Sequence, residues 1–279
     1  MHPWNSNRRK LVVLALGLAL STGAAAQARN LDEVRAKGVI RFALYNDYPP
    51  YSARGKGLDV DIASAIARRL GVRFDPLWFD ADENVDDDLR NMVWKGHYLG
   101  HGPADVMIHA PVDRELQKRT PQARLIAPYY RESLALARNT EKIGRVDDMG
   151  FLADTLIGVE VDSLASFVLL GHQGGQYRER IRHYKSPRLA VEAFLKGEVQ
   201  AVMAQKGEVE GLLKGEANVA IAPPPIPGAM AQRAWAVGLA VKSSNAELAA
   251  AVEAAVTEMV RDGELEKLFV AHGITYVRP

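Results

Sequence analysis

GVIRFALYNDYPPYSARGKGLDVDIASAIARRLGV, residues Gly38 to Val72, is the stretch whose reading decides the fold. Val39–Tyr45 is dense in apolar, β-branched and aromatic residues, the composition of a short buried strand. Asn46, Asp47 and the Pro49–Pro50 pair stop that strand, because proline has no N–H to give a sheet ladder. After a turn at Arg54–Gly57, Ile62, Ile66 and Leu70 recur at i, i+4 and i+8, one apolar stripe of a helix. Asp59 or Asp61 can cap its start, and Gly71 ends it. Strand, aromatic-rich loop and covering helix make the first βα unit of an α/β domain. Ligands of open α/β sheets bind at the carboxyl ends of strands, so the loop from Asn46 to Tyr51 is the first candidate site.

Ahead of this unit, Arg8, Arg9 and Lys10 precede an uncharged apolar run from Leu11 to Leu20. Ala24–Ala25–Ala26 and Ala26–Gln27–Ala28 both suit a small-residue cleavage site, so residues 1–28 read as a secretory signal peptide. The run is too short to span a bilayer, and no later segment is apolar enough for a membrane helix. General secretion fits the flanks of Arg8–Arg9 better than the twin-arginine route. Cleavage would leave 32 Lys+Arg against 34 Asp+Glu, a net charge of −2, which argues against a nucleic-acid partner. With no cysteine there is no disulfide, thiolate metal site or cysteine nucleophile. About 250 remaining residues are enough for one large domain or two lobes.

Further along, Leu31–Lys37 reads as a short helix and Val72–Phe79 as the second strand. Asp80, Asp82, Asn84, Asp86 and Asp88 alternate like a calcium loop, but Val85 replaces the sixth-position glycine and Asn91 the closing glutamate. A solvated loop supplying helix caps is the better reading. Leu89–Trp94 is expected to be a helix and Asp105–Ile108 a strand, joined by the long turn KGHYLGHGPAD. His97, His101 and His109 fall in this passage. Gly96, Gly100 and Gly102 interrupt the helix that would aim the first two at one metal, so no metal or other cofactor is expected. Ala123–Asn139 reads as a strand, Leu152–Val161 as the start of a second βα module, and a helix follows from Ser163. Arg188–Leu195 and Glu208–Leu213 are expected helices, Val199–Ala204 and Val219–Ala222 expected strands. Pro223, Pro224, Pro225 and Pro227 make a stiff connector. Asn245–Phe269 is amphipathic and helical, broken near Asp262–Gly263.

The segment YNDYPPYSARGKGLDVDIASAIARRLGV resembles the opening of the bacterial periplasmic solute-binding proteins of amino-acid type (family 3). Their signature is an aromatic-Pro-Pro-aromatic loop followed by a G-x-D-V-D-[IL]-A helix. LIAPYYRESLALARN and NAELAAAVEAAVTEMVRDGELEKLF are similar to later segments of the same family. The resemblance implies an α/β, two-lobe type II periplasmic-binding-protein fold with a discontinuous lobe 1. Lobe 1 would comprise residues 29–137 and 238–279 and lobe 2 residues 138–237, with crossovers near Arg138 and Ala236. It implies a periplasmic, monomeric, non-enzymatic protein that binds a small ligand and serves an ABC permease. VWKGHYLGHGPADVMIHAPVD further resembles one branch, the J-protein-like solute-binding proteins associated with quinoprotein (PQQ-dependent) alcohol dehydrogenases, including those of methanol oxidation. That branch implies such a dehydrogenase as partner.

Carried over residue by residue, the family's ligand site falls on Asn46, Asp47, Tyr48, Tyr51, His109, Arg114, Tyr129, Ser163, Leu164 and Gln205. Tyr48 is the expected cleft aromatic, with Tyr51 packed behind it. Tyr129 and Tyr130 would line the cleft near the hinge, although a tyrosine pair on a strand equally serves as packing. The match is degraded where chemistry matters. The carboxylate-binding arginine has no counterpart in register, and Arg114 stands about three positions away with Asp113 beside it. The family's G-T-T reads Asp162–Ser163–Leu164, one hydroxyl short and with a negative charge added. The ammonium-binding aspartate aligns with Gln205, which is neutral. An ion pair is not kept with one partner neutralised, since the other buried charge would be uncompensated. The fold is therefore expected without the amino-acid site. A third reading, catalysis through His109, Asp47 or Glu160, lacks a partner group visible in the sequence.

Overall fold

The computed structural model describes residues 28–81, 84–97, 102–226 and 234–279. Residues 1–27, nearly all of the expected signal peptide at 1–28, and Asp82 of the acidic run, His101 and Pro227 lie outside the described residues. Helix α1 (Leu31–Lys37) is delimited by its own sequence: Asn30 and Glu33 form a reciprocal capping box, and Gly38 closes the far end in the left-handed conformation. Strand β1 (Val39–Tyr45) follows, then a short hairpin of β2 (Asp47–Tyr48) and β3 (Ser52–Ala53) that carries the aromatic loop. Helix α2 (Leu58–Arg69) covers it. Neither expected aspartate caps α2: Gly57 occupies the cap, Asp59 is buried in the first turn, and Asp61 pairs with His272 on the surface.

The remaining strands are β4 (Arg73–Phe79), β5 (Val106–Pro111), β6 (Ala123–Asn139), β7 (Ile157–Glu160), β8 (Ile181–Tyr184), β9 (Ala201–Gln205), β10 (Val219–Ala222) and β11 (Ala234–Lys242). The remaining helices are α3 (Val85–Leu89), α4 (Arg114–Arg119), α5 (Leu164–Gly171), α6 (Pro187–Leu195), α7 (Lys206–Leu212), α8 (Ala246–Arg261) and α9 (Glu264–Ala271). Instead of starting at Leu89, the helix before the long turn begins at Val85, capped by Asn84, and Arg90–Trp94 continues it as a π turn. The break at Gly263 is where the sequence places it.

The strands run β4-β1-β5-β11-β6-β9-β7-β8, with β10 also beside β6. Pro76 is tolerated because β4 is an edge strand with only β1 as partner. Strand β6 carries the whole arrangement. Its first part, Ala123 to Ser133, pairs with β11, and its last part, Leu134 to Asn139, pairs with β9 and β10. Partners thus exchange between Ser133 and Leu134, earlier than the expected crossover near Arg138, which sits well inside the second set of strands. Ala236 likewise lies within β11, opposite Arg131.

Each half buries apolar residues on both faces of its strands, as a sheet covered by helices must. Along β1, Ile40, Phe42 and Leu44 face α2 and α8, while Ala43 faces Leu89 and Met92. The chain start is pinned by charge. Asp105, fully buried, accepts from the Arg29 side chain at 3.0 and 2.5 Å and from the backbone N–H groups of Arg29 and Arg41 at 3.1 and 2.7 Å. Asp105→Asn would leave the Arg29 guanidinium with its counter-charge removed, and should lower unfolding stability by about 3 kcal/mol. Urea denaturation tests this; a loss under about 1 kcal/mol would show that the pair is not needed to hold the N-terminus.

Candidate functional site

The carboxyl ends of strands from both halves converge on one cavity of about 370 Å³. From the first half come Tyr45 at the end of β1, Asp47 and Tyr48 of the hairpin, Asp80, Ala81 and Val85 after β4, and His109 and Pro111 of β5. Trp235 and Val237 enter from β11, and Glu160 and Gln205 from the ends of β7 and β9. A second cavity of about 120 Å³ shares Glu160, Gln205 and Trp235 and is otherwise walled by residues that include Leu134, Leu164, Pro187 and Glu208. This is the switch-point crevice of an α/β sheet, in the size range of small-molecule sites.

His109 reaches it through an irregularity in the ladder. Ile108 and Ala110 pair with Leu239 and Gly238, two consecutive residues of β11, so His109 is the extra residue of a bulge. Its φ of 61° is in the left-handed region, rare for a side chain of this size. Across β11, β6 is irregular at the same level, with Ala127 at φ 46°. Gly238 sits between the two irregularities, where a Cβ would come within 2.6 Å of the Ile126 carbonyl oxygen and of Val112. The bulge sets the imidazole against Tyr51 and Tyr48, ring centroids 4.2 and 5.0 Å away. Its Nδ1 lies 3.2 Å from the buried Asp59 carboxylate, which can only accept, so Nδ1 carries the proton. The partner that the sequence did not reveal for His109 is thus Asp59.

Hydrogen bonds from the aromatic loop and from Glu132 help bind the halves beside the cleft. Tyr48 donates to Gln205 Oε1 at 3.1 Å. Tyr51 donates to Glu132 Oε2 at 2.5 Å, and Glu132 also accepts from the Ser133 N–H at 2.8 Å and the Gly207 N–H at 3.3 Å. At the rim, Arg188 of α6 stands 3.7 Å from Asp47 and 2.9 Å from Glu192.

Of the expected site residues, Asp47, Tyr48, His109 and Gln205 line the main cavity, and Ser163, Leu164 and Gln205 the smaller one. Four others are placed elsewhere. Tyr51 is fully buried behind the cleft, as packing. Tyr129 is in the core, and Tyr130 packs on Phe269 at 4.6 Å, so neither lines the cleft, because β6 turns that stretch inward over α9. Asn46 donates to Asp80 at 2.8 Å without lining the cavity. Arg114 is exposed in the first turn of α4, and Asp113 does not compete for it but caps that helix, accepting from the Glu115 and Leu116 N–H groups. Ser163 caps α5, and Asp162 is exposed outside both linings. Sequence reasoning missed Tyr45, Trp235 and Glu208 as lining groups. Tyr45 could have been found as the last residue of β1; Trp235 and Glu208 carry no local signal.

Burial dominates the titration of the acids here. Glu132, Glu160 and Glu208 are all pushed above the ordinary 4.5 by desolvation, Glu208 furthest, with the charges of Glu160 and Glu132 adding to it. Among the described residues no group of three or more His, Cys, Asp or Glu has metal-holding geometry.

Two lobes with a ligand-sized crevice between them define a binding-protein class, and the comparisons agree. Residues 40–273 match the bacterial extracellular solute-binding proteins, family 3, and the chain belongs to that family. No curated protein matches in sequence. Among solved structures it is similar to an ancestral cationic amino acid solute-binding protein, AncCDT-1, at 18% identity and TM-score 0.68, covering 87% of this chain and 99% of that one. The same ancestral protein is also described as a precursor of cyclohexadienyl dehydratase. A second neighbour is an amino acid ABC transporter substrate-binding protein from Streptococcus pneumoniae bound to L-arginine, at 20% identity, TM-score 0.63, covering 88% and 99% of the two chains. A third is a Neisseria gonorrhoeae solute receptor for L-cysteine, at 20% identity, TM-score 0.60, covering 88% and 93%. At these identities the likeness shows the fold, the two-lobe type II periplasmic-binding-protein fold. The family is extracellular, its neighbours are in the main binding proteins, and no helix among the described residues is long and apolar enough to cross a membrane.

The raised acids have a measurable consequence. Between 4.5 and their folded values the native state holds more protons than the unfolded chain. The stability this contributes is fully present below pH 4.5 and is lost as pH rises through the folded values. Glu208→Gln should therefore raise the urea midpoint at pH 8 while changing it little at pH 4, flattening the pH profile. Equal slopes for the two proteins would show that Glu208 keeps an ordinary titration in the fold.

Proposed function

We propose that this chain is a solute-binding-protein-like periplasmic accessory of a quinoprotein (PQQ-dependent) alcohol dehydrogenase, with a cleft that holds a small ligand or a partner segment in place of an amino acid. The observation that carries the reading is the lining itself: among the described residues no lysine or arginine lines either cavity. An α-carboxylate is ordinarily held by a bidentate arginine, and without one its burial costs several kcal/mol, roughly the desolvation penalty of an unpaired ion. Arg114 is out of reach on α4, and Arg188 at the rim is already shared between Asp47 and Glu192. Gln205, neutral, is engaged by Tyr48. Support for the dehydrogenase comes from the resemblance of Trp94–Asp113 to the quinoprotein-associated branch, whose long turn and bulged His109 both fall in that passage. The two halves are read as lobes that close about β6, which pairs with β11 in one half and with β9 and β10 in the other.

A second reading, the substrate-binding component of an ABC importer for a small organic solute, is favoured by family membership and by a cavity large enough for such a solute.

Tagged protein used as bait in periplasmic extract at low salt should recover a quinoprotein dehydrogenase. Tyr48→Ala removes both a cavity wall and the bridge to Gln205, and should weaken binding of partner or ligand at least tenfold while leaving the circular dichroism spectrum intact. Recovery of no dehydrogenase, with a small molecule released from the denatured protein, would replace the accessory reading with the importer one. Unchanged binding by the Tyr48 variant would remove the cleft from either.

A further inference from the structure

The charges in the cleft are one-sided. Three carboxylates line the main cavity, Asp47, Asp80 and Glu160, and no described lysine or arginine does. Two of the three have partners. Asp47 has Arg188 at 3.7 Å, and Asp80 accepts from the Asn46 amide at 2.8 Å. Glu160 differs: it lines both cavities and, among the described residues, its carboxylate meets no hydrogen-bond donor and no cation. Behind it Glu208 is buried, its carboxylate turned back to the Gln205 N–H at 3.0 Å. A half-buried carboxylate beside a buried one is an arrangement that a protein stabilises by a bound positive charge or by a proton. The same lining carries Tyr45, Tyr48 and Trp235, the ring types whose faces attract ammonium groups. The imidazole of His109, also in the lining, faces Asp59 with its Nδ1.

We propose that the cleft takes a compact organic cation that carries no carboxylate, an amine or quaternary ammonium, with its positive group held by Glu160 among Tyr45, Tyr48 and Trp235. The proposal rests on the reading of the cleft as a ligand site and names the chemistry of what fills it. A zwitterionic amino acid is disfavoured by the same geometry. Its ammonium would be satisfied at Glu160, but its carboxylate would enter a crevice that already holds Asp47 and Asp80 and offers no described basic group in the lining. The acidic position at the end of β7 also accounts for Gln205 at the end of β9: with Glu160 supplying the negative group, a neutral residue that accepts from Tyr48 suffices there.

Isothermal titration of the purified, secreted protein with choline, 1,4-diaminobutane, L-arginine and succinate tests this at pH 7. Saturable binding of choline or diaminobutane at least tenfold tighter than L-arginine, with no binding of succinate, is expected. Glu160→Gln, matched in shape, should lose at least tenfold in affinity for the cation, and Asp47→Asn at the rim should lose less. Circular dichroism and thermal melting confirm that both variants fold. Tighter binding of L-arginine or succinate than of either cation overturns the proposal and leaves the cleft a ligand site of another kind. Cation binding unchanged by Glu160→Gln overturns it as well. If none of the four probes binds, the proposal falls, and the dehydrogenase pull-down, which uses no small molecule, still decides the accessory reading separately.

Discussion

Glu132 occupies the point where the two halves of the molecule become one. It lies beside the partner exchange on β6, is fully buried, and has its carboxyl group surrounded by Tyr51 from the aromatic loop, the Ser133 N–H from β6 itself, and the Gly207 N–H from the first turn of α7. Three elements from distant parts of the chain therefore share one acceptor. The geometry is tight enough to dictate a neighbour: a Cβ on residue 207 would lie 2.0 Å from the Tyr51 hydroxyl, so glycine is required there. A buried carboxyl group is costly unless its lone pairs are filled. Here they are filled only while the aromatic loop, β6 and α7 keep their mutual positions, which ties the mouth of the cleft to the strand that runs between the lobes.

A second constraint follows from Gly238. With β5 on one side and β6 on the other, each carrying extra residues opposite it, β11 passes through a gap that admits no side chain. The local disorder of register is what turns His109 out of regular alternation and toward Asp59, Tyr48 and Tyr51. Site and scaffold are thus built by the same irregularity. The result is a crevice with aromatic walls and an excess of carboxylates, a very different electrostatic character from one that grips a carboxylate with arginine.

Much of the fold was legible in advance for physical reasons. The apolar density of Val39–Tyr45, the i, i+4 stripe of Ile62 and Ile66, and the glycine at 263 are local signals, each written within a dozen residues. The unit from Gly38 to Val72 is accordingly as expected, and its loop supplies Asp47 and Tyr48 to the crevice. Arg114 and Tyr129 show where local reading fails. Both stand near family site positions in the chain, yet α4 carries the first to the surface and β6 carries the second into the core. The cap of α2 failed for a related reason: Asp59 suits an N-cap by composition, but it is held in the first turn facing His109, fifty residues away.

The sequence by itself determined the α/β class, the order of the strands and helices, the aromatic loop at the end of β1, and the neutral Gln205 where the family resemblance implies a charge. These follow from periodicity, from proline and glycine, and from residue identity, which are local properties. Only the tertiary structure decided that Asp59 partners His109, that Glu132 joins the lobes, and that Glu160 stands unpaired in an arginine-free lining of the described cleft. Each of these depends on parts of the chain far apart in sequence, brought together by ladder register, by the bulge at His109 and by the packing of helices on the sheet.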